Sequence, residues 1–115
     1  MTMIYHNPRC MKCRQAMELL HERGIEPEVI EYLKAPPAAA ELLALCRKMK
    51  LRPTQIIRTK EERFAELGLS LDDDRSDEEW CSILSENPVL IQRPIIVHGD
   101  RVTLGRSLDA ICEIL

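Results

Sequence analysis

The sequence predicts an α/β domain on a mixed sheet, in the order βαβ, helices, ββα, with a helical insertion between the second and third strands. Three observations carry this. The apolar run Met3-Ile4-Tyr5 is followed by Cys13, Ala16, Met17 and Leu20 at helical spacing. Beyond Gly24 and Pro27 comes a β-branched and aromatic run, Val29-Ile30-Glu31-Tyr32-Leu33, so a helix joins two strands that must run parallel. Near the C-terminus, Ile95-Ile96-Val97 and Arg101-Val102-Thr103-Leu104 flank the short polar turn His98-Gly99-Asp100, the pattern of an antiparallel hairpin.

The elements follow in order. The first helix is expected over about 11–23, with Gly24 able to close it in a left-handed cap. Pro36 and Pro37 break the chain before a helix over about 38–49, whose Leu42, Leu45, Cys46 and Met49 share a face. Pro53 opens a short helix through Arg58, and residues 61–67 add a turn or two that Gly68 ends. Ser76-Asp77-Glu78-Glu79 is a capping-box pattern for a helix over about 77–85, with Trp80, Cys81 and Leu84 inward. After Asn87-Pro88, Arg93-Pro94 leads into the buried strand 95–97. A proline heading such a strand marks a special backbone position, where either peptide isomer is open. Gly105-Arg106-Ser107 supplies a turn and an N-cap for a last helix over 108–115, with Leu108, Ile111, Cys112 and Leu115 apolar.

Length and composition fit one domain over 1–115 with the helical insertion at approximately 38–86. A hydrophobic share of 45%, a charged share of 30% and only 3% aromatics leave aliphatic residues and Met to fill the core. A net charge of −3 argues against nucleic-acid binding by overall attraction to phosphate. There is no secretory signal pattern and no apolar run of the roughly 20 residues that span a bilayer, so the expected location is the cytoplasm.

Five cysteines do not suit a disulfide framework, and Cys46, Cys81 and Cys112 each fall in an apolar helical pattern as expected core thiols. Cys10 and Cys13 differ. They lie in His6-Asn7-Pro8-Arg9-Cys10-Met11-Lys12-Cys13-Arg14, at a strand-to-helix turn. A thiolate at a helix start gains from unpaired backbone N–H groups and the helix dipole, and Arg9, Lys12 and Arg14 add positive charge. Cys10 is therefore the candidate nucleophile. Cys13 either packs on the helix's apolar face or resolves an oxidised Cys10. His6 either hydrogen-bonds the turn or tunes Cys10. A zinc site competes for the pair, but no second pair or suitable His spacing supplies further ligands, and no metal is expected. The run Asp72-Asp73-Asp74-Arg75 reads as a solvated loop. A dithiol turn after the first strand and a proline opening a later one outline a thioredoxin-like fold.

Several of these stretches, taken together, resemble the glutaredoxin-coupled arsenate reductase (ArsC-like) family: Tyr5-His6-Asn7-Pro8-x-Cys10, Arg58 after Ile56-Ile57, Asn87-Pro88, Arg93-Pro94-Ile95-Ile96-Val97 and Gly105-Arg106. The resemblance implies that Cys10 attacks arsenate and that the adduct is reduced to arsenite by glutathione and glutaredoxin, or by thioredoxin, without a bound cofactor. It implies that Arg58, Arg93 and Arg106 hold the oxyanion, a role suited to forked guanidinium donors. Pro94 is structural, and His6 would favour the Cys10 thiolate as an imidazolium. Two positions depart from the family: Cys13, where arsenate reductases commonly lack cysteine, and Ser107, where relatives often carry proline. Cys13 also resembles the Spx-type regulators, which gives an alternative reading as a redox switch that binds RNA polymerase; the His-Asn-Pro lead-in and the retained Arg106 favour the reductase branch. A thiol reductase with another substrate is a third reading.

Overall fold

The computed structural model describes residues 1–115. Its elements run β1 (Thr2–Tyr5), α1 (Met11–Glu22), β2 (Glu28–Ile30), α2 (Ala39–Met49), α3 (Glu62–Glu66), α4 (Asp77–Glu86), β3 (Ile95–His98), β4 (Arg101–Leu104) and α5 (Leu108–Ile114), with 3₁₀ turns at Pro53–Ile56 and Pro88–Leu90. They form two compact units: Met1–Ala35 together with Arg93–Leu115, and Pro36–Gln92.

The first unit contains a mixed four-stranded sheet in the order β2-β1-β3-β4. β1 pairs parallel with β2 and antiparallel with β3, so Ile4 stands opposite Val29 on one side and Ile96 on the other. β3 and β4 form the predicted hairpin, with Ile96 opposite Thr103. Gly99 at φ 61° supplies the left-handed residue that so tight a connection needs. The parallel pair requires a crossover, which α1 provides. Its helical spacing puts Cys13, Ala16 and Leu20 inward, and Gly24 at φ 72° follows its end as the sequence predicts. Ile4, Ala16, Leu20, Ile96 and Ile111 make the core cluster. Burying each large aliphatic side chain contributes about 1.5–3 kcal/mol. Ser107 caps α5, accepting a hydrogen bond from the Ala110 N–H at 3.2 Å.

Two expectations for this unit need correction. β2 stops at Ile30, because Glu31 starts a turn in which its carbonyl accepts from the N–H groups of Lys34 and Ala35, both at 2.9 Å. The last helix is less deeply packed than its apolar pattern suggests: Leu108 is exposed, and Cys112 is only half-buried, its sulfur facing the Arg23 guanidinium at 3.3 Å. A helix at the edge of a small core covers it with one residue per turn, here Ile111.

In the second unit α2 packs against α4, burying Leu42, Leu45 and Cys46 from one helix and Trp80, Cys81 and Leu84 from the other. α2 ends at Lys50 in the left-handed conformation, φ 58°. The capping box is present as predicted: the Glu79 N–H donates to the Ser76 hydroxyl, and the Ser76 N–H to the Glu79 carboxylate, both at 3.1 Å. The segment before it is not simply solvated. Arg75 pairs with Asp73 at 3.2 Å and lies over the Trp80 ring, 5.6 Å from its centroid, because a guanidinium gains from an aromatic face. No helix is long and apolar enough to cross a membrane.

Candidate active site

The turn after β1 sets the geometry. The His6 N–H donates to the Ile30 carbonyl at 2.8 Å, which ties the turn to β2. The Asn7 side-chain oxygen accepts from the Arg9 N–H, and the Asn7 carbonyl from the Cys10 N–H, both at 3.0 Å. This local folding, typical of Asn, delivers Cys10 as the N-cap of α1 with φ −91° and ψ 125°. The first turn of α1 holds no acidic residue, so nothing there opposes a negative sulfur.

Burial works against ionisation of Cys10. It is outweighed by a hydrogen bond from the Arg93 side chain and by donors from the Cys13 backbone, the Cys13 thiol and the Lys12 backbone, which together bring the Cys10 thiol down to about 7. These donors, and not the side-chain charges of Arg9, Lys12 and Arg14 that the sequence suggests, stabilise the thiolate at the helix mouth. Cys13, three residues on, is fully buried. Burial pushes its thiol up to about 11; an N–H from Asn7 eases this, and the charge of Cys10 adds to it. All five cysteines are free thiols.

Arg93 reaches the site from two residues before β3. Burial works against its charge, but its bond to Cys10 and its contacts with Cys10 and Tyr32 hold it firmly protonated. Its Nε–H is buried with no partner, a donor that an incoming oxyanion can use. The Arg93-Pro94 bond is cis. Gly105 lies against Pro94, its N–H donating to the Pro94 carbonyl at 2.7 Å. Arg106, the next residue, is exposed at the end of β4.

His6 does not match its expected form. Burial lowers its imidazole below the ordinary value, only partly offset by Glu31, and Nδ1 is buried without a partner. A neutral ring follows, so the charge that favours the Cys10 thiolate comes from Arg93 and not from an imidazolium. A cavity of about 460 Å³ opens beside the turn, between His6, Pro8 and Arg9 on one side and Glu31, Leu33 and Lys34 on the other.

Arg58 belongs to the helical unit. Its guanidinium binds Glu61 through two nitrogens at 3.0 and 3.1 Å, and its N–H donates to the Leu90 carbonyl at 2.7 Å. With Thr59, Lys60 and Gln92 the pair lines a cavity of about 300 Å³. No cluster of three or more His, Cys, Asp or Glu side chains is placed to hold a metal ion.

Sequence reasoning missed two contributors. Tyr32 reads as one more strand residue, yet it is buried against Arg93; a single large aromatic within an exposed, charged stretch was the available signal. Gly105 reads only as a turn residue, and its contact with Pro94 leaves no local mark in the sequence.

A sulfur at a helix start, backed by a guanidinium from the residue before Pro94, on a βαβ…ββα sheet, defines a thioredoxin-like protein. The relatives agree with that fold and narrow it. The ArsC family matches residues 5–114. The chain is 45% identical to an arsenate reductase of Rhizobium meliloti over 97% of its own length and 79% of the relative's. It is 38% identical to one from Neisseria meningitidis serogroup A, over 97% and 96%. The solved arsenate reductase of Vibrio cholerae superposes with a TM-score of 0.93 at 39% identity, covering 99% of this chain and 97% of that one. The chain belongs to the ArsC family.

Proposed function

We propose that this chain is an arsenate reductase with Cys10 as nucleophile, Arg93 and Arg106 as oxyanion ligands, and glutathione with glutaredoxin, or thioredoxin, as the source of electrons. The observation that carries the reading is the Arg93 guanidinium hydrogen-bonded to the Cys10 sulfur at the start of α1. Arsenate is an oxyanion and repels a thiolate. A guanidinium beside the sulfur neutralises the incoming oxygens, and its partnerless Nε–H gains an acceptor. The Cys10 sulfur then bonds to arsenic while one arsenate oxygen leaves as water. A second thiol takes the Cys10 sulfur, and the electron pair of the broken bond reduces arsenic from the pentavalent to the trivalent state. The names of the relatives support arsenate as substrate. For Arg58, already engaged by Glu61, the part in the reaction rests on the family resemblance alone.

The test is arsenite formation with glutathione and glutaredoxin, repeated with thioredoxin. Cys10→Ser is expected to abolish it while the protein stays folded. Arsenate reduction by that variant would sink the reading.

A further inference from the structure

Cys13 bears on which thiol attacks the adduct first. Its thiol donates to the Cys10 sulfur, so the two sulfurs are already in contact while Cys10 is free. The pairing of N-cap and third helical residue holds them there, because residues three apart stand on one face of a helix. Cys13 is fully buried, and therefore closed to outside reagents while open to its neighbour. A glutathione thiol must instead diffuse in and align, and a partner held in place outcompetes one from solution by a large effective concentration.

Resting on the arsenate reading, we propose that Cys13 resolves the Cys10 adduct, so that arsenite leaves as a Cys10–Cys13 disulfide forms and the external reductant acts on that disulfide rather than on the adduct. The step balances. The Cys13 sulfur bonds to the Cys10 sulfur, and the sulfur–arsenic bond breaks with its electron pair staying on arsenic. Arsenic passes from pentavalent to trivalent, two thiols become one disulfide, and the Cys13 proton ends on an arsenite oxygen. The regenerating reductant is a thiol or dithiol of the glutathione, glutaredoxin or thioredoxin class.

Burial is the largest of the influences that keep the Cys13 thiol protonated, while the Asn7 N–H and the Arg93 charge favour its thiolate.

A single-turnover experiment tests this. Fully reduced protein, freed of all small thiols, is mixed with arsenate; arsenite is measured, free thiols are counted after denaturation, and the disulfide is located by peptide mapping. Wild type is expected to release about one arsenite per chain, since one disulfide carries two electrons. It is expected to lose two of its five thiols, with the link between Cys10 and Cys13. Cys13→Ala, with Cys13→Ser as a second variant should the first fail to fold, is expected to release none under these conditions. The proposal is overturned if wild type releases no arsenite until glutathione is added, if the bond maps to another pair, or if the Cys13 variants match wild type without added thiol. Wild type that turns over only with glutathione and glutaredoxin rejects Cys13 and leaves the arsenate reading intact. Wild type inactive with every reductant rejects both.

Discussion

Gly105 lies so close to Pro94 that a Cβ on it would stand 2.6 Å from the Pro94 Cγ. No real pair of carbons sits so near, and Pro94 is buried with Ile111 on the same side of Gly105, so the ring has little room to move. The contact fixes the backbone that carries Arg93 ahead of β3 and Arg106 beyond β4.

Gly105→Ala is therefore expected to destabilise the protein by about 1–3 kcal/mol, as overpacking does, and to lower arsenate turnover by shifting Arg93. Urea unfolding and steady-state kinetics check the two effects separately. Wild-type values in both would mean that the strands part without cost.

The Cys10 thiol ionises at about 7, below its ordinary value. The thiolate is the basic form, so reactivity is present above that pH and lost as pH falls through it. Alkylation of native protein by iodoacetamide is expected to rise to a plateau with an inflection near pH 7. Arg93→Gln removes the largest of the influences opposing burial, and its inflection should move up. His6→Gln should leave the inflection in place, since the ring is neutral; a matching upward move would restore His6 as the charge partner.

Arg93→Lys keeps the charge but loses the forked donor. A hydrogen bond to a charged group is worth about 1.5–3 kcal/mol, so kcat/KM for arsenate should fall roughly ten- to a hundredfold. Circular dichroism and melting controls separate this from misfolding, and unchanged kinetics would remove Arg93 from the oxyanion site.

The Arg58–Glu61 ion pair is partly exposed, and such pairs contribute about 0–1 kcal/mol. Arg58→Ala should change stability by no more than that. A fall in kcat/KM well beyond it would report the part in the reaction that the family resemblance implies, and unchanged kinetics would make Arg58 structural.

What the sequence revealed was what local chemistry writes into it. The strand-turn-helix around Cys10, the hairpin about Gly99 and the Ser76 capping box each depend on residues within a few positions of one another, and all three stand where expected. The family resemblance implies a part for Arg93, whose side chain donates to Cys10. The unread features join distant stretches. Tyr32 with Arg93 and Gly105 with Pro94 are contacts that no periodicity encodes. The lowered ionisation of His6 is not legible in the sequence for the same reason, because its burial depends on the packing of the turn and not on the residues flanking it.

Burial holds the thiols of Cys46 and Cys81 at about 12 and about 11, far from ionising near neutrality. Sulfur in those positions is buried and stays protonated. Those two cysteines can be carried as ballast, which leaves only Cys10 and the half-buried Cys112 within reach of solvent.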